Sequence, residues 1–172
     1  GHLDLTGFPN PSGSGFVADF IAMAEEALTG YGTQSAAYFP FDQPLDPGSV
    51  PDPAGSLRAD SAVWIVDIDP LSPHRGERFP ADAHFFERHS WLPPNTLAVL
   101  PMGGFPLRER TRYAVALTDG LRGLSGLRAE PDPDFAALRD GAGLEGTLAD
   151  RARGLYGEAL TALEEAGLER KR

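Results

Sequence analysis

Turn-forming clusters cut the middle of this chain into runs too short for ordinary helices, and that spacing constrains its fold more than any other feature. The clusters are Asp42-Gln-Pro-Leu-Asp-Pro-Gly48, Pro70 to Pro73, Pro93-Pro-Asn95, Pro101-Met-Gly-Gly-Phe-Pro106 and Asp119-Gly120. Glycine and proline supply 20 and 16 of the 172 residues. Proline fixes φ and removes a donor, and glycine opens conformations closed to other residues, so each cluster ends regular structure locally.

Between the clusters lie five strand candidates, all short and rich in aromatic or branched residues. They are Ala36 to Phe41, Ser61 to Ile68, Arg78 to His89, Thr96 to Leu100 and Arg112 to Thr118. Pro40 cannot donate to a ladder, which places the first at a sheet edge. In the second, Ala62, Trp64, Val66 and Ile68 share a face by the two-residue period, and Trp64 belongs to the core. No helical period separates the five, so they point to an antiparallel sandwich rather than a parallel α/β sheet.

The ends read differently. Residues 1–15 form an extended lead-in, and Phe16, Val17, Phe20, Ile21, Ala24 and Leu28 recur at helical spacing before Gly30 and Gly32, predicting a helix over 16–29. Near the other end, Phe135 to Leu138 allows one short helical turn. Leu144, Leu148, Ala152, Leu155, Ala159 and Leu163 then form an apolar stripe on a helix over about 144–166, stopped by Gly167. The expected organisation is lead-in and helix over 1–32, β-sandwich over 33–139, and over 140–172 a C-terminal helix leading to a downstream region outside this sequence. The fold class expected is mainly β.

The net charge of −10 disfavours nucleic acid, since phosphate binding needs a positive face and the only basic run is the short tail ending Lys171-Arg172. No stretch reaches the length of a membrane-spanning helix, so no membrane insertion is expected. With no cysteine, disulfides and thiolate metal sites are excluded. The opening Gly1-His2-Leu3 has no basic region, which leaves any signal peptide outside the sequence.

The succession Tyr38-Phe-Pro-Phe-Asp-Gln-Pro-Leu-Asp-Pro-Gly-Ser-Val50, the strand Val63-Trp-Ile-Val-Asp-Ile-Asp69, Asn95 to Pro101, and Pro106 to Leu121 resembles the bacterial immunoglobulin-like domains of surface-layer proteins. The likeness spans roughly 33–139, in particular to the version that precedes an α/β-hydrolase or lipase-like region in large secreted bacterial proteins. The turn from Gly120 to Gly126 departs from the family's Asp-x-x-Gly-Asn pattern. The resemblance implies an Ig-like sandwich, with Phe105 and Leu107 plugging one end and Tyr113 facing the core. It also implies a secreted, cell-surface or periplasmic location and a catalytic domain of the same parent protein as partner. It carries no catalytic residues.

Site residues are few. His84 and His89 are five apart, which on a strand sets them on opposite faces and misses the zincin spacing. Asp67 and Asp69, closing a strand, are the calcium candidates, because hard cations take clustered carboxylate oxygens. Asp42 and Asp46 share a turn, while Asp132-Pro-Asp134 lacks the glycine and distant glutamate of a calcium loop. Gly13-Ser-Gly15 lacks the P-loop Lys-Ser/Thr and reads as linker. There is no Gly-x-Ser-x-Gly elbow. Trp91, in a Pro-rich loop, is the candidate for stacking on a sugar or a partner. Three functions are therefore open: a non-catalytic accessory, spacer or binding module of a secreted hydrolase-like protein, a fragment of a processed secreted esterase or lipase contributing to its cleft, or a carbohydrate or surface adhesion domain.

Overall fold

The computed structural model describes residues 3–8, 10, 12–142 and 145–170, with Leu148 described by its backbone only. Of the positions named above, Gly1, His2, Leu144, Lys171 and Arg172 lie outside the described residues, as does the side chain of Leu148. The elements are helix α1 (Gly15–Ala27), strands β1 (Ala37–Pro40), β2 (Val63–Asp67), β3 (Arg78–Phe79), β4 (Ala81–Phe86), β5 (Thr96–Pro101) and β6 (Tyr113–Leu117), and helices α2 (Pro133–Asp140) and α3 (Thr147–Glu165). Two single-turn 3-10 helices, Pro47–Ser49 and Gly55–Leu57, interrupt the long β1–β2 connection. Helical residues outnumber strand residues, so the chain is a mixed α and β structure and not the mainly β one expected.

The strands form two antiparallel three-stranded sheets, in the orders β1-β5-β4 and β3-β2-β6. β1 occupies an edge, as Pro40 requires. The expected strand Arg78 to His89 is not one strand. Pro80 has no N–H to continue a ladder, so β3 pairs with β2 before it and β4 pairs with β5 after it, carrying the chain from one sheet to the other. β4 ends at Phe86, which leaves His89 off the strand.

Val63 and Ile65 of β2 meet Leu97 and Val99 of β5 and Ala81 of β4 in one core cluster shared by the two sheets, with Leu45 and Leu121 contributed by connections. Trp64 and Val66, pointing the other way, are buried under Leu163 of α3 and Leu168 just beyond it, with Ile68 packed alongside. β2 is thus covered on both faces, the situation in which a strand becomes continuously apolar. Ala62 departs from the predicted face: it lies before the strand begins and joins the inter-sheet cluster. Trp64 is only 2% exposed, and its indole Nε1 donates to the Ser61 carbonyl at 2.9 Å. The Arg78 guanidinium lies 3.4 Å from the ring centroid.

Local chemistry explains the ends of the helices. α2 runs two turns rather than the single one expected, because Asp132 caps it by accepting from the N–H of Asp134 at 2.9 Å, Pro133 occupies the first turn, and Gly141 closes it at φ 73°. The Asp-Pro-Asp run is a capping signal and not a failed calcium loop. α3 stops at Gly167, as predicted, but its apolar stripe is only partly used: Leu163 is buried while Leu155 is 66% exposed. At the far end of β6, the Asp119-Gly120 turn approaches Ala62 so closely that a Cβ on Gly120 would sit 3.0 Å from the Ala62 Cβ.

Candidate functional site

β4 follows directly on β3, which joins the two sheets along one side. On the other side the edge strands β1 and β6 pair with no further strand among the described residues, and a cleft of about 570 Å³ opens there. Its floor is the inter-sheet core itself, Ile65, Val99 and Val115, with Leu107 at one end. Tyr31 and Tyr38 stand at the mouth, both largely exposed. The segment from Asp4 to Phe8 lines the remaining side. That segment is tethered rather than paired as a strand: the Leu3 N–H donates to the Leu28 carbonyl at 3.3 Å, the Leu5 N–H to Glu25 Oε1 at 2.8 Å, and the Phe8 N–H to the Leu5 carbonyl at 2.9 Å. A mostly apolar concavity with a few polar groups at its rim has the make-up of a ligand site.

Tyr113, which also lines the cleft, packs edge-to-face with Phe79 at 5.3 Å, and its hydroxyl accepts from the Arg108 N–H at 3.0 Å. Leu107 packs on the core, and its N–H donates to the Thr33 carbonyl at 3.0 Å. Phe105 does not plug the sandwich. The turn closed by its own N–H on the Met102 carbonyl leaves the ring 53% exposed.

The calcium candidates sit at the same end, where β2 gives way to the β2–β3 loop. Asp67 is fully buried, and its Oδ1 accepts from the Asp69 N–H at 3.0 Å. Its Oδ2 accepts from the Ser72 hydroxyl at 2.6 Å and lies 3.4 Å from Arg108 Nη1. Asp69 accepts from the N–H groups of Leu71 at 2.9 Å and Arg112 at 3.1 Å. The Leu71 bond first, and then the Arg112 bond with the charges of Arg112 and Arg75, holds its carboxyl below the usual range. Arg108 also reaches Glu77 at 2.8 Å, and Glu77 in turn meets His74 Nδ1 at 2.7 Å. Those two bonds, the arginine's the larger, lower the Glu77 carboxyl from its ordinary value. The carboxylates therefore rivet the β2–β3 loop to the β5–β6 connection. Sequence spacing alone hides this, since Asp67 and Arg108 are 41 residues apart.

The histidines are not brought to a common partner. His84 Nε2 lies 3.1 Å from Asp82, while the His89 ring packs edge-on against Phe86. Among the described residues no group of three His, Asp or Glu side chains converges as metal ligands. Trp91 lies in the β4–β5 loop, 52% exposed. A smaller polar hollow of about 340 Å³ involves Arg58, Asp60 and Arg122, but Arg58 is paired with Asp60 at 3.0 Å and Arg122 Nη1 donates to the Gly126 carbonyl at 3.3 Å. On α1, Phe16, Phe20 and Met23 form an exposed apolar stripe alongside the buried Ala24. No protein-family model matches the chain, and no curated protein matches it either.

Proposed function

We propose that this chain is a non-catalytic immunoglobulin-like accessory module of a secreted bacterial hydrolase-like protein, acting by binding rather than by bond-making. Two three-stranded antiparallel sheets around one shared core, joined where β3 passes into β4 at Pro80, support the sandwich half of that reading. The observation that carries the binding half is the chemistry of the cleft end. The cleft itself is mostly apolar and aromatic, whereas the neighbouring ionisable side chains Asp67, Asp69, Glu77 and Arg108 are spent on holding loops to one another.

The test is to assay the purified chain against p-nitrophenyl acyl esters and to mix it with the protein encoded beyond Arg172 in the same reading frame. The expected result is no turnover by the chain alone and a one-to-one complex with a hydrolase region on sedimentation. Ester turnover by the chain alone overturns the proposal, and so does a reading frame that encodes no such region.

One observation favours a second reading, adhesion to a carbohydrate surface. Trp91 is half exposed in its loop while the other tryptophan is buried, so stacking on a sugar would involve Trp91. Tryptophan emission that stays unchanged across a panel of polysaccharides removes it.

A further inference from the structure

We propose that the cleft between β1 and β6 binds an elongated apolar ligand with a positively charged head, an alkylammonium in chemical class. The inference rests on the binding-module reading above and assigns that cleft a ligand. The body of the ligand is set by the floor: Ile65, Val99 and Val115 offer only hydrocarbon, the first and last from one sheet and Val99 from the other, and among the described residues no strand bridges β1 to β6 above them. Burying an apolar chain there gains roughly in proportion to the area removed from water. The volume of about 570 Å³ falls within the range of about 300–1,000 Å³ in which small-molecule sites occur.

The head is set by the rim. Tyr31, Tyr38 and Phe8 each line the cleft and each is more than half exposed, so three aromatic rings at the rim are accessible to a cation from solvent. Asp4, also on the rim, adds a carboxylate, and hydrogen bonding from Thr6, by its side chain first and then by its N–H at 3.0 Å from Asp4 Oδ1, favours its ionised form. Among the described residues the lining includes no lysine or arginine; Arg151 of α3, whose charge reaches Asp4, is not part of it. A fatty carboxylate would bring its head against Asp4 and into the field of a chain with net charge −10, whereas an ammonium is attracted by both.

The experiment titrates the full chain with decyltrimethylammonium and, separately, with decanoate, each far below micelle formation, by calorimetry and by amide chemical shifts. Expected are a saturable one-to-one isotherm for the ammonium, shifts centred on Tyr31, Tyr38, Val99 and Val115, and decanoate at least about fivefold weaker, a gap of about 1 kcal/mol. Asp4→Asn, at an exposed position whose amide oxygen can still accept from Thr6, should weaken the ammonium about fivefold without moving the melting temperature. Tyr38→Leu, which keeps an apolar wall but removes the ring face, should weaken it similarly. Absence of saturable binding, equal binding of decanoate, shifts confined to other surfaces, or an unchanged affinity in Asp4→Asn would each overturn the proposal. Failure here is distinct from failure of the binding-module reading: a chain that is silent toward esters and associates with its hydrolase region, yet ignores decyltrimethylammonium, sinks the ligand alone.

Discussion

Replacing Trp64 with alanine should cost about 3–5 kcal/mol of stability. A tryptophan removes about 150–250 Å² from water when buried, and at about 25 cal/mol per Å² that is roughly 4–6 kcal/mol, of which alanine keeps a minor part. Here the ring is 2% exposed and closed in by Val66, Leu163 and Leu168, so nearly the full value applies. Losing the Arg78 contact at 3.4 Å adds about 0.5–2 kcal/mol, partly offset because that guanidinium keeps its bonds to the Ser56 and Arg58 carbonyls. The Ser61 carbonyl is not orphaned by losing the indole donor, since the Thr118 hydroxyl still reaches it at 3.3 Å. Urea unfolding followed by far-UV circular dichroism measures the difference, with Trp64→Phe expected to lose clearly less because it keeps a ring against α3. A loss below about 1 kcal/mol for Trp64→Ala would refute the placement of this face of β2 beneath the C-terminal helix.

The two leucines of α3 should separate in the same assay: Leu163→Ala by about 2–3 kcal/mol, and Leu155→Ala, on the exposed side, by under about 0.5 kcal/mol. Asp67→Asn should cost about 1–3 kcal/mol, since the buried amide cannot serve all the donors the carboxylate serves, and the amides of the 68–77 loop should exchange faster with deuterium. Glu77 gives a pH prediction. Its carboxyl titrates lower in the folded state than its ordinary value near 4.5, so its contribution is fully present above that value and is lost as pH falls through the lowered one. In Arg108→Ala the Glu77 side-chain carbon should titrate closer to 4.5, as read by NMR; an unmoved midpoint would refute the assignment to Arg108. On α1, Phe20→Gln should change stability by no more than about 0.5 kcal/mol by thermal melt, because the ring meets solvent.

Short-range chemistry was legible in the residues. The Pro93-Pro-Asn95 cluster is a turn, with Asn95 at φ 55°, a conformation asparagine tolerates. The caps of α2 could also have been read from Asp132, Pro133 and Gly141, where the spacing alone shows only a fragment of helix. Trp91 was recognisable as a loop residue because Pro93 and Pro94 follow it closely. The division of the run Arg78 to His89 was not legible: it has strand composition throughout, and Pro80 changes its partners without changing its composition.

Where regular structure starts and stops is local information, because a proline, a capping carboxylate or a glycine at positive φ acts on its own few neighbours whatever the rest of the chain does. Packing between distant segments sets which sheet each strand joins, that Leu163 is buried and Leu155 is not, that Asp67 meets an arginine 41 residues away, and that a cleft remains between β1 and β6. Those outcomes depend on how one surface fits another, and a contact between segments distant along the chain forms only when all of the intervening turns have set the two surfaces face to face.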